Sequence, residues 1–153
     1  MNKSEIVMLI LERLREEFET RHRVSKLTRE EGNDAESRAE GNYDTLSIEE
    51  NYLADGLAKQ ALAAAEAIAA IEKMQIRSFA GDEPVDFGAL VEVELSGAKE
   101  WFFLAPAGGG TEISHEGGVL TVITPESPLG SQLIGAHVGD STTVPAARIV
   151  GVM

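Results

Sequence analysis

Cysteine is absent from the 153 residues, which removes disulfides, thiolate zinc sites and cysteine nucleophiles together. Basic residues are scarce: 13 Lys and Arg against 26 Asp and Glu leave a formal net charge of −13. Affinity for a phosphate backbone comes from Lys and Arg displacing counterions. This balance therefore works against unaided or sequence-specific DNA and RNA binding, and suits a basic protein surface, a metal ion or plain solubility. Long hydrophobic runs are missing as well. The apolar stretch at residues 6–11 is too short for a signal core or a membrane span and has no basic cluster ahead of it, so no membrane association and a cytoplasmic location are expected. Proline is confined to the chain after Ser78, and of the glycines only Gly32, Gly41 and Gly56 precede it. That shift in composition predicts two parts, residues 1–77 and 78–153.

The first part has helical spacing. Ser4 is placed to cap a helix, and apolar residues recur at Val7, Leu11, Leu14 and Phe18 with Glu and Arg on the other faces. Residues 30–44 hold almost nothing large and apolar, and Gly32, Asn33, Gly41, Asn42 and Asp44 favour bends, so a turn is expected between Gly32 and Ser47. Leu46, Ile48, Leu53, Leu57, Ala61, Ala64, Ile68 and Ile71 then form a seam at alternating steps of three and four. Alanine dominates residues 58–70, favouring helix and allowing two helices to approach closely. Thr45 or Ser47 would cap this second helix, with Glu49 and Glu50 in its first turn.

The second part reads as strands and turns. Residues 87–95, FGALVEVEL, alternate well enough to predict a strand with one buried and one wet face; a second follows at 99–104 with Trp101, Phe102 and Phe103, and 96–98 supply the turn. A third strand is expected at 119–124. Ser127 caps a short helix with Pro128 in its first turn, Leu129, Leu133 and Ile134 on one face, and Gly135 at its end. Gly139 and Asp140 turn into a last strand, 142–152, broken by Pro145. The fold class is thus α+β: an N-terminal antiparallel helical hairpin, coiled-coil in character, followed by a β-rich domain with one short helix.

Several chemistries find no support. The glycines stand in no strand–loop–helix order of a phosphate-binding loop. His22, His115 and His137 lack metal-ligand spacing, Ser127 and Ser131 lack a nucleophile elbow, and the aromatic residues at 101–103 have no basic groove beside them and are read as core.

Residues 127–140, SPLGSQLIGAHVGD, resemble the hallmark of the C-terminal domain of bacterial Gre transcription factors; 11–18, LERLREEF, resemble the first Gre helix and 49–54, EENYLA, the start of the second. The resemblance implies an FKBP-like fold for residues 78–153. It implies RNA polymerase as partner, bound at the rim of the secondary channel through Ser127, Pro128, Leu129, Leu133, Ile134 and Gly135. It also implies that the chain has no catalytic residues or cofactor of its own: tip carboxylates on the finger share a magnesium ion with the polymerase, which cleaves backtracked RNA.

Such assistance needs only one or two carboxylates when the host supplies the remaining oxygen ligands, and the candidates are Asp44, Glu49 and Glu50, with Asn42 a weaker neutral ligand. Gre tips carry Gly-Asp-Leu-x-Glu-Asn. Here Glu50-Asn51 matches the Glu-Asn, but Ser47 stands three residues before Glu50, and aligning Gly41-Asn42 with Gly-Asp puts an amide where the acid belongs. Two outcomes are open within the family resemblance, stimulated cleavage through Asp44 or regulation without cleavage. A coiled-coil scaffold is the reading from a different class.

Overall fold

The computed structural model describes residues 1–38 and 44–153, with side chains of 34–47 outside the description. Element order is α1 (Lys3–Arg38), α2 (Asp44–Lys73), β1 (Leu90–Leu95), β2 (Ala98–Leu104), β3 (Glu112–His115), β4 (Gly118–Ile123), α3 (Gly130–Leu133), β5 (Ser141–Thr143) and β6 (Ala146–Val152). The predicted α+β class is the observed one.

Both helices start earlier than their sequence signals suggest. Asn2 caps α1: its Oδ1 accepts the Ser4 N–H at 3.1 Å and its carbonyl accepts the Ile6 N–H at 3.1 Å, so Ser4 lies inside the first turn. Gly32 and Asn33, expected near the bend, are helical. α2 begins at Asp44, which puts Thr45 and Ser47 inside the helix and moves Glu49 and Glu50 into its second turn, beyond the strongest reach of the dipole.

The chain separates into two compact units. One is Arg15–Glu66; the other joins Met1–Leu14 to Ala67–Met153. This division differs from the change in element type at 77–78.

Within Arg15–Glu66 the helices run antiparallel. Ser25 Oγ donates to the Ala54 carbonyl at 2.9 Å, Arg29 pairs with Asp55, and a methyl group built on Gly32 would stand 3.3 Å from Glu50 Cβ. Buried positions are small ones: Ser25, Thr28, Gly32, Ala54, Ala61 and Ala64. Close approach selects them, and so the seam passes through Ala54 and not through Leu53, which is 58% exposed.

The second unit is built on a six-stranded sheet of order β3-β4-β2-β1-β6-β5, antiparallel except for the β2–β4 pair. Two-residue loops join β1 to β2 and β3 to β4. Ser96 and Gly97 (φ 51° and 82°) and Glu116 and Gly117 (φ 49° and 80°) both take the left-handed values of the turn that matches strand twist. β3 was not foreseen, because Ile113 is its one large apolar residue.

Both sheet faces are covered. On one, Val91, Val93, Phe102, Leu104 and Ile149 pack with Leu129 and Leu133 and with Phe79, Val85 and Ala89 from the irregular segment before β1. On the other, Leu90, Phe103, Leu120 and Val122 pack with Ile6, Val7, Ile10 and Leu14 of α1 and Ala67 and Ile71 of α2. The expected wet face of β1 is therefore limited to its C-terminal half, where Glu94 is exposed. Complete burial of side chains such as Phe103 and Ile10 is worth about 1.5–3 kcal/mol each. The predicted last strand is divided at the Val144–Pro145 peptide, which is cis, into β5 and β6.

Candidate functional site

The segment after β4 is held almost entirely by its own polar groups. The Thr124 carbonyl accepts both the Ser127 N–H (3.1 Å) and the Ser127 Oγ–H (2.9 Å), while Ser127 Oγ accepts the Gly130 N–H at 3.0 Å. Ser127 Oγ thus takes the first N–H of α3 as a cap would, although the residue stands ahead of the helix's N-cap position, Leu129, and α3 spans only Gly130–Leu133. Pro128 has no N–H to satisfy, and its carbonyl accepts from Ser131 Oγ and Gln132 Nε2, each at 2.9 Å. Gln132 then ties this segment to the β5–β6 connection: Nε2 donates to the Val144 carbonyl at 2.8 Å and Oε1 accepts the Thr143 N–H at 2.7 Å.

Two glycines are required here for different reasons. A Cβ on Gly130 would lie 1.9 Å from the Thr124 carbonyl oxygen. Gly135 has φ +78°, and its N–H donates to the Val85 carbonyl at 2.7 Å, fastening the segment to the irregular stretch before β1. Asp140 closes the following turn, accepting the His137 N–H on Oδ2 at 2.8 Å.

Much of the SPLGSQLIGAHVGD stretch is therefore scaffolding. Of the six residues expected to meet polymerase, Leu133 is fully buried and Leu129 nearly so; both hold the segment down from beneath. Ser127 spends its hydroxyl internally. Pro128 and Gly135 are exposed, and Ile134 is 37% exposed. Ser127, Pro128 and Leu129 do border an open cavity of about 710 Å³, whose wall includes Thr121, Val144 and Pro145. Val144, 61% exposed, is the residue sequence reasoning missed. Its only signal was a β-branched residue next to a proline at a break between strands.

Of the tip candidates, only Glu49 and Glu50 have side chains among the described residues. Asp44 opens α2, but its side chain, like those of Asn42 and Ser47, lies outside the described residues. Glu49 is exposed; Glu50 is half-buried, close to Gly32 across the hairpin, with Oε2 shielded and without a hydrogen-bond partner among the described residues. Among those residues no group of three or more His, Asp or Glu side chains could hold a metal ion. His22 stacks on Phe18 at 5.5 Å between ring centroids, and His137 Nδ1 stands 3.9 Å from Asp140. No helix among the described residues is long and apolar enough to cross a membrane.

No family model matches the sequence, and no curated protein matches it. Solved structures do. The chain is similar to GreA factor homolog 1 (Gfh1) of Thermus thermophilus at 20% identity over 97% of this chain and 93% of that one, with a TM-score of 0.37. It is also similar to a structure described as the transcription factor Gfh1, at 20% identity over 94% and 93% with a TM-score of 0.36, and to Thermus aquaticus Gfh1, at 18% identity over 92% of each chain with a TM-score of 0.35.

Proposed function

We propose that this chain is an accessory factor of bacterial RNA polymerase that docks through its β-rich unit at the secondary channel and modulates transcription with weak or no stimulation of RNA cleavage. The observation that carries the reading is the Gre-like stretch at 127–140, whose exposed Pro128 stands on the rim of an open apolar cavity with Val144 and Pro145. Rigid apolar residues around a concavity suit a protein partner. The regulatory half rests on the tip. Asn42 and Ser47 stand where an acid pair belongs, and Glu50, which aligns with a tip acid, has its Cβ beside Gly32 of the opposing helix and its Oε2 shielded from solvent. An uncharged amide or hydroxyl does little to offset a divalent cation.

Full-length chain is incubated with core polymerase and recovered by pull-down. Pro128→Asp and Val144→Asp are expected to weaken retention at least about tenfold while leaving thermal unfolding near that of the parent, since rim charges oppose an apolar contact without opening the core. Unchanged retention in both variants overturns the docking surface, and no retention of the parent overturns the polymerase reading. A backtracked complex then tests the tip: strong transcript cleavage abolished by Asp44→Ala, Glu49→Ala or Glu50→Ala makes the chain a cleavage factor.

A scaffold reading draws on one observation. Ile48, Tyr52, Leu53 and Leu62 of α2 are between 52% and 74% exposed, an apolar surface that a further helix would cover. Sedimentation of the isolated chain as a monomer counts against pairing between copies.

A further inference from the structure

Away from the docking segment, a cavity of about 520 Å³ is bordered by Asn2, Lys3, Ser4, Arg77, Phe79 and Met153, among others, all of the β-rich unit. Its electrostatics run against those of the chain. In a protein of net charge −13, Lys3 Nζ lies 4.5 Å and the Arg77 guanidinium carbon 3.8 Å from the centroid of one ring, that of Phe79. Only Arg77 has a carboxylate partner: Glu83, at 3.1 Å, which also accepts the Ala80 N–H at 2.7 Å. Among the described residues Lys3 has none; its ammonium donates to the Arg77 carbonyl at 2.6 Å, leaving two of its three donors unspent. Burial, and then the neighbouring Arg77 charge, pull the Lys3 pKa down from 10.5 to about 8. The helix start adds little, since Asn2 already takes the Ser4 N–H.

We propose that this cavity binds the phosphoryl group of a small organic phosphate, with Lys3 and Arg77 as the two cationic contacts. Arg presents paired donors that match phosphate oxygens, and Lys supplies a compact point charge. Bound phosphate provides the negative charge that Lys3 lacks. The volume sets the class of ligand: it falls within the roughly 300–1,000 Å³ typical of small-molecule sites, far larger than free phosphate needs. Ile76 and Met153 offer apolar surface to a ring or sugar, so a mononucleotide-sized body fits and a bare ion leaves most of the space unfilled. The site shares no lining residue with the cavity beside Pro128 and Val144 and does not rest on the polymerase reading.

The test is titration of the full chain by two-dimensional NMR with inorganic phosphate, ribose 5-phosphate, AMP and, as the uncharged control, adenosine. Saturable shifts confined to Lys3, Arg77, Ser78 and Met153 are expected with AMP or ribose 5-phosphate at a dissociation constant of about 1 mM or tighter, with adenosine silent and phosphate weaker. The Lys3 titration midpoint should rise on binding, because a nearby anion favours the ammonium. Lys3→Gln and Arg77→Gln should each weaken binding about tenfold while signals from the Gly130 region stay in place, which separates loss of contact from loss of fold. No saturable shift with any phosphorylated probe up to about 10 mM overturns the site. Equal affinity in both variants removes the assigned contacts, and inorganic phosphate binding as tightly as AMP overturns the organic body.

Discussion

Replacing Gly130 by alanine tests the segment after β4 at its tightest point. The added Cβ would meet the Thr124 carbonyl oxygen at 1.9 Å, its carbon at 2.7 Å and Ser127 Oγ at 2.8 Å, and the first two are backbone atoms that cannot swing aside. Relief requires the Thr124 carbonyl to move away from the Ser127 N–H and Oγ–H, and Ser127 Oγ to move away from the Gly130 N–H. Those three hydrogen bonds are worth about 1 kcal/mol each, and residual overpacking adds about 1–3 kcal/mol. Alanine's better helix propensity returns at most about 1 kcal/mol, and less in a helix this short. A net loss of about 3–5 kcal/mol follows, or a fall in Tm of about 6–20 °C for a chain of this size. The comparison is Gly56→Ala, in the exposed middle of α2 with nothing within 4 Å of the new methyl; that variant should gain up to about 1 kcal/mol. Urea unfolding of both, read from the midpoint at unchanged slope, decides the matter. A Gly130→Ala protein as stable as the parent would refute the close approach and with it the claim that this glycine is structural.

Other consequences can be measured in the same way. Leu133→Ala removes a fully buried side chain and should cost about 2–5 kcal/mol in chemical unfolding; a smaller effect means the residue is not core. Ser25→Ala deletes the buried bond to the Ala54 carbonyl at 2.9 Å and should destabilise the hairpin by about 1 kcal/mol, visible as earlier loss of helical circular dichroism. For Lys3, folding lowers the pKa from 10.5 to about 8, so between those values the unfolded chain still holds a proton that the folded chain has released. Stability contributed by this group therefore rises as pH climbs from about 8 toward 10.5; below about 8 both states are protonated and the cost of burying the charge beside Arg77 is fully present. Urea midpoints at about pH 7.5 and about pH 9.5 should thus rise less in Lys3→Gln than in the parent, and an identical rise removes Lys3 as the source.

What the sequence made legible is what periodicity carries. The two helices, three of the strands and the turn at Ser96 and Gly97 follow from spacing and turn chemistry. Two kinds of information were hidden. Ile6 and Ile10 form the buried stripe of α1 more than Leu11 does, because the stripe is defined by strands far along the chain and not by the helix itself. Phe79, Val85 and Ala89 enter the core from a segment without regular structure, where no period exists to read. For the candidate site, Ser127 could be recognised as a cap, whereas the separation of Pro128 and Val144 on the surface from Leu129 and Leu133 beneath it needed three dimensions.

The packing of α1 on the sheet also constrains how the protein comes off the ribosome. Ile6, Val7, Ile10 and Leu14 are made well before the Leu90, Phe103, Leu120 and Val122 side chains they cover, which come from the second half of the chain. Helical structure can form locally as synthesis proceeds, but the apolar stripe of α1 stays without its partner until β4 has emerged, and closing so long a loop is slow. For that interval the nascent chain carries a bare amphipathic helix. A chain cut just before Ser78 has the opposite defect, a sheet stripped of one cover. Neither half is a finished product, because the apolar stripe of α1 and the strands it covers complete one another.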